Sequence, residues 1–223
     1  AQVATRVHLK FVKLGETIPI SDMLPLLDRG ALRVITERPY ELAWPDGGQA
    51  WIQDFELEHR DGLVIDIARL EPLFNEAVAA TWRGAVENDG FKRLVLLADM
   101  PARDVIIARL IAKYLLQTGV PFSQATMERA LARHADIARE LIALFHARFD
   151  PAVPARTRAR AADRRVRSIG RALTRVTSLD EDRILRAYLA VMRATLRTNY
   201  YQLDAAGRPK DYVSLKLDPA KAP

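Results

Sequence analysis

Arg6-Val7-His8-Leu9-Lys10-Phe11-Val12-Lys13 alternates strictly, with Val7, Leu9 and Phe11 on one side and Arg6, His8 and Lys10 on the other. Period two of this kind marks a half-buried strand. Working outward, Gly15 permits a tight turn. Ser21 is placed to cap a helix whose apolar stripe is Met23, Leu24 and Leu27, with Pro25 near its first turn and Gly30 as its stop. A second extended run, Leu32 to Arg38, is expected to break at Pro39 before Tyr40-Glu41-Leu42. The turn Pro45-Asp46-Gly47-Gly48 leads into Trp51 to Glu58, where Trp51, Phe55 and Leu57 oppose Asp54, Glu56 and Glu58. From about Asp66, Leu70, Leu73, Phe74, Ala77, Val78 and Trp82 recur at helical spacing. The order is β-α-β-β-α, and an antiparallel sheet covered on one face by two helices buries both stripes, an α+β sandwich. Arg93 to Leu97 reads either as a fourth strand or as a helix. The stripe Phe91, Leu94, Val95 and Ala98 favours the helix.

Beyond Pro101 the helical period takes over. Val105, Ile107, Leu110, Ile111, Tyr114 and Leu115 run to a stop at Gly119. Ser123 caps the next helix, carrying Met127 and Leu131; Ile137, Leu141, Leu144, Phe145 and Phe149 form another, ending at Asp150-Pro151. Val166, Ile169, Leu173 and Val176 place an arginine-rich helix after it. Ser178 and Glu181 are spaced as a capping box for a helix with Ile184, Leu185, Tyr188, Leu189, Met192 and Leu196 inward. Val213 and Leu215 then read as a short strand with no partner left in the chain.

Composition narrows the class. With 49% apolar residues and no Cys among 223, the chain can bury a core but has no disulfide, thiolate site or Cys nucleophile. It holds no apolar run long enough to span a bilayer, and a cytoplasmic location suits the lack of Cys. The opening Ala1-Gln2-Val3, without an initiator Met or a signal pattern, suits an excerpt of a longer polypeptide. The net charge of +6 is concentrated: Pro151 to Arg175 holds Arg156, Arg158, Arg160, Arg164, Arg165, Arg167, Arg171 and Arg175 against Asp163 alone. Such a cluster is a candidate anion patch. The absence of interleaved aromatics argues against nucleic acid as its partner.

Motifs for chemistry are missing. Neither GxGxxG nor GxxxxGK[ST] occurs, the histidines His8, His59, His134 and His146 lack HExxH spacing, and no serine sits in a GxSxG elbow. Catalytic, cofactor-binding and metal-ligating residues are therefore expected to be absent from this stretch. Asn199-Tyr200-Tyr201 stands out, and reads as packing or an interface seal.

Several stretches resemble the large bacterial NAD-specific glutamate dehydrogenase family. They include Arg33-Val34-Ile35-Thr36-Glu37-Arg38-Pro39-Tyr40, Trp51-Ile52-Gln53-Asp54-Phe55, Asn88-Asp89-Gly90-Phe91-Lys92-Arg93, and Leu144-Phe145-His146-Ala147-Arg148-Phe149-Asp150. Ser178-Leu179-Asp180-Glu181, Arg197-Thr198-Asn199-Tyr200-Tyr201 and Tyr212-Val213-Ser214-Leu215-Lys216-Leu217-Asp218-Pro219 continue the series in order. The resemblance implies the region just before the catalytic domain: an ACT-like, ferredoxin-like βαββα module over 1–86, an all-α helical domain over 87–205, and a linker with the first strand of the next domain over 206–223. It implies a parent that converts L-glutamate, NAD and water to 2-oxoglutarate, ammonia and NADH, while this portion, inactive alone, carries regulation and subunit contacts. NAD would belong to the parent and no cofactor to this portion. Its partners would be the remaining domains and subunits of a homo-oligomer. ACT modules often take amino-acid effectors at the turn after the first strand, here Leu14, Gly15 and Glu16. A scaffold without ligand, and polyanion or nucleic-acid binding through Arg156 to Arg175, are the alternatives.

Overall fold

The computed structural model describes residues 3–223; Ala1 and Gln2 lie outside that range. The described chain forms two compact units that divide between Leu96 and Leu97. In the first, β1 (Val3–Ala4) is followed by β2 (Arg6–Leu14), α1 (Ile20–Asp28), β3 (Leu32–Ala43), β4 (Gln49–His59), β5 (Ile65–Asp66) and α2 (Ile67–Trp82). The sheet has the order β2-β4-β3, antiparallel throughout, while β1 pairs with β5. Val7, Leu9, Phe55 and Leu57 on the sheet meet Met23, Leu26 and Leu27 of α1 and Leu70 and Val78 of α2. Both helices thus cover one face, as the alternation requires.

The opposite face is organised by charge. The acids Asp54, Glu56 and Glu58 on the central strand are flanked by bases from both edges. Arg6 donates to Glu56 at 2.8 Å, His8 lies 2.9 Å from Asp54, and Arg33 pairs with Glu58. Arg6 is the main cause holding the Glu56 carboxyl below its ordinary range. Further along the same face the rows turn apolar: Val12 and Tyr40 flank Ile52, and Leu14 and Leu42 flank Ala50. Val12, Leu14, Tyr40 and Leu42 are all exposed.

Several local expectations in this unit need correction. The α1 N-cap is Pro19, with no side-chain cap, not Ser21, and Pro25 falls inside the helix. Gly30 stands directly after the C-cap residue Arg29, where the helix was expected to stop, and the left-handed residue is Ala31, at φ 65°. Strand β3 does not break at Pro39. An edge strand tolerates a missing ladder donor, and the interruption is instead a bulge between Val34 and Thr36. Trp82, at the end of α2, is exposed rather than inward.

A short 3-10 turn (Gly90–Lys92) and α3 (Arg93–Leu97) follow, so this run is helical. The second unit is built from α4 (Ala102–Gln117), α5 (Gln124–Arg133), α6 (Ala135–Phe149), α7 (Ala155–Leu173) and α8 (Leu179–Ala194). Their stripes converge on a core including Ile107, Ile111, Leu115, Met127, Leu144, Phe145, Ile184, Leu185 and Met192, all nearly fully buried. Tyr188 is buried in it and donates to the Ala108 carbonyl at 3.1 Å. Helix α8 stops before Leu196, which is half exposed. The chain turns into β6 (Thr195–Thr198), which pairs antiparallel with β7 (Leu215–Leu217). The final strand, expected to be unpaired, therefore has a partner formed by the residues assigned to the end of α8.

Candidate functional site

Helix α4 starts directly after Pro101, which puts Arg103 and Asp104 in its first turn. Asp104 is buried at 8% exposure and its Oδ1 accepts from two side chains: the Tyr200 hydroxyl at 2.6 Å and His146 Nε2 at 3.0 Å. Because a carboxylate only accepts, His146 Nε2 carries a proton, and His146 Nδ1 lies 2.5 Å from the Tyr201 hydroxyl. Burial first, then the hydrogen bond and charge of Asp104, drive the Tyr200 phenol far above the ordinary tyrosine range. Burial, then the charges of Asp150 and Asp104, push Tyr201 up to about 12. Both phenols stay protonated donors at any physiological pH.

Arg103 completes the node from the other side. It donates to the carbonyls of Tyr200 at 2.7 Å and Lys210 at 3.1 Å, with its guanidinium 4.7 Å from the Tyr200 ring centre. Phe145 meets Tyr200 edge-on at 5.4 Å, and Tyr200 meets Tyr201 at 5.0 Å. Nearby, Arg148 donates to the carbonyls of Met192 and Thr195, capping α8 where β6 begins. Burial, then the charge of Arg193, lowers the Arg148 pKa. Asn199 donates to the Tyr212 carbonyl and accepts from Ser214 N, closing the loop between β6 and β7. A carboxylate–imidazole–phenol chain can hold and pass a proton. Here each of its groups is spent on a neighbour, so it fastens the segment after α8 to helices α4 and α6.

The turn singled out from the sequence is placed in the open. Leu14 and the Glu16 side chain are strongly exposed, and Gly15, at φ 83°, donates its N–H to the Gln49 carbonyl at 2.8 Å. Just beyond it, the buried Gln53 side chain accepts from Ile18 N at 2.7 Å and donates to Ile18 O at 2.9 Å, fixing the approach to α1. A cavity of about 380 Å³ lies elsewhere in the same unit, between the early half of β2 and α2. It is lined by Leu9, Leu57, Leu70 and Phe74 together with Glu71 and Asn75.

The eight arginines all lie on α7 or just past its end. Arg165 pairs with Glu140 at 2.6 Å, Arg175 approaches Asp136 at 4.0 Å, and Arg158 donates to the Asp150 carbonyl at 2.9 Å. Arg156, Arg160, Arg164, Arg167 and Arg171 are exposed. His134 and His146 do not meet: His134 lies 2.9 Å from Glu181, His146 in the Asp104 node. Among the described residues no group of three His, Asp or Glu side chains is placed to hold a metal ion. No helix there is long and apolar enough to cross a membrane. Sequence reasoning noticed Tyr200 and Tyr201 but missed Asp104, Arg103 and His146 as their partners. The one available signal was an acid and a base in the first turn after Pro101.

Comparison with known proteins finds three family matches along the chain. Residues 1–70 match the family model "Glutamate dehydrogenase, ACT3 domain", and residues 86–151 match "Glutamate dehydrogenase, helical motif 3". Residues 168–223 match "Bacterial NAD-glutamate dehydrogenase, catalytic domain". The chain is 41% identical over 216 residues to an NAD-specific glutamate dehydrogenase of Halomonas elongata, covering 96% of this chain and 13% of that protein. It is 40% identical over 225 residues to that of Pseudomonas aeruginosa, with 100% and 14% covered, and 36% identical over 210 residues to that of Mycobacterium tuberculosis, with 92% and 13% covered. The chain thus spans 13–14% of the length of these relatives.

Proposed function

The chain belongs to the bacterial NAD-specific glutamate dehydrogenase family, and from that premise we propose that it is a regulatory and structural portion of such an enzyme. The parent oxidises L-glutamate with NAD and water to 2-oxoglutarate, ammonia and NADH in the cytoplasm. This portion holds subunits and domains together and answers to an amino-acid effector. The observation that carries the reading is the succession of an ACT3 match, a helical-motif match and a catalytic-domain match along one chain.

Topology supports placing NAD elsewhere in the parent. Dinucleotides bind outside the carboxyl ends of parallel strands, whereas every strand pair among the described residues is antiparallel. That topology supports a reading in which other residues of the parent hold the cofactor. The boundaries expected at 86 and 205 remain part of the proposal, with the catalytic-domain match already beginning at 168. Contacts with the rest of the enzyme are supported by the apolar rows of the open sheet face. Val12, Leu14, Tyr40 and Leu42 form the kind of exposed patch that marks an interaction surface.

The effector reading has two places to act: the turn Leu14-Gly15-Glu16, and the cavity whose volume falls in the range of small-ligand sites. A thermal-shift screen of the 223-residue chain against the common amino acids tests it. A ligand at a hundred times its dissociation constant adds about 2.7 kcal/mol. A shift abolished by Gly15→Val identifies the turn, and one abolished by Leu70→Trp identifies the cavity. No shift with any amino acid leaves a ligand-free scaffold.

A further inference from the structure

The groove between α6 and α7 has a volume of about 690 Å³. It is lined by the small apolar Ala143, Ala147 and Ala161 and by Arg158, Arg164, Arg165 and Arg171. An adjoining hollow of about 340 Å³ shares Glu140, Ser168 and Arg171 and adds Arg139 and Arg175. Three carboxylates are present in the two hollows, and one of their oxygens, Glu140 Oε2, is buried without a hydrogen-bond partner. Glu140 pairs with Arg165, Asp136 approaches Arg175, and Asp150 accepts from Ala152 N at 2.9 Å. His146 also lines the groove but is committed to Asp104 and Tyr201.

Two guanidiniums remain uncommitted. Arg164 and Arg171 have no ion-pair partner among the described residues, although acids stand on the facing helix. Seven residues apart on one helix flank, they are separated by about 10 Å along the axis, with Ser168 between them. That spacing suits two anionic groups on one molecule better than a single ion. Arginine recognises phosphate and carboxylate through the same fork of donors, and the groove volume is that of a small-molecule site. We propose that the α6–α7 groove binds a small organic polyanion, a molecule with at least two phosphate or carboxylate groups on an apolar body, held by Arg164 and Arg171. This goes beyond the amino-acid effector reading and uses a different unit of the chain.

Calorimetric titration of the 223-residue chain with tripolyphosphate and, separately, with citrate tests the assignment, at constant ionic strength set with sodium chloride. Saturable binding of one molecule per chain is expected with at least one probe. The probe that binds distinguishes phosphate from carboxylate recognition. Joint replacement Arg164→Ala and Arg171→Ala should weaken it about tenfold or more, since each charged hydrogen bond lost is substantial. The control pair Arg156→Ala and Arg160→Ala removes the same charge from α7 outside the groove and should leave affinity within about twofold. Helical circular dichroism keeps misfolding apart from loss of the site. Absence of saturable binding by both probes overturns the proposal. So does equal weakening in both double variants, which would mean diffuse attraction to the helix. Tight oligonucleotide binding that tripolyphosphate does not displace would also overturn it.

Discussion

Asp104 is the residue on which the second unit's polar interior turns. It takes two hydrogen bonds on one oxygen while buried, and its donors, Tyr200 and His146, lie 96 and 42 residues away in sequence. Hydrogen bonds to a charged group contribute about 1.5–3 kcal/mol each. Asp104→Ala should therefore destabilise this unit by about 3 kcal/mol in urea denaturation. Asp104→Asn, which can still accept on one oxygen, should cost about half as much. His59 makes the corresponding test in the first unit. It is buried, its Nδ1 accepts from Asp61 N at 3.1 Å, and its Nε2 has no partner. Burial first lowers its pKa, Asp61 raises it and Arg93 lowers it further. The unfolded chain then takes up a proton that the folded chain refuses, so stability falls as pH drops below about 6.5. His59→Gln should lower stability near pH 7 yet flatten its decline toward pH 5, read from urea midpoints across that range. Neither residue was legible beforehand, because an isolated Asp or His looks the same whether it ends in solvent or under a helix.

At the scale of elements, local chemistry was readable wherever the partner lay nearby in sequence. Ser123 accepts from Thr126 N at 3.2 Å and Ser178 from Glu181 N at 3.4 Å, so both caps stand where spacing put them. The Glu181 carboxylate, expected to reach back to its own cap, is spent instead on Arg133 at 2.8 Å and His134. Ser178→Ala should consequently cost about 1 kcal/mol, the usual worth of such a cap. Arg148→Met keeps the apolar stem but orphans the carbonyls of Met192 and Thr195. It should cost about 2 kcal/mol and loosen β6, seen as faster amide exchange at Leu217. What failed was decided by distant partners. Leu196 continued the stripe of α8 on paper, but β7 recruits that segment into a ladder. Pro39 looked like a break because nothing local announces an edge strand.

For the molecule as a whole, the order βαββα followed by helices was legible because two periods, two and then 3.6, divide the chain cleanly. The sites were not, since their residues are assembled from α4, α6, α7 and the segment after α8. The family match places those last residues with a catalytic-domain model, while the node binds them to helices matching helical motif 3. We propose that turnover of glutamate requires polypeptide besides these 223 residues. Incubating the purified chain with L-glutamate and NAD, and following reduced cofactor by its absorbance, tests this most directly. The account predicts no NADH above a protein-free blank, whereas sustained NADH formation that scales with the concentration of this chain would contradict it.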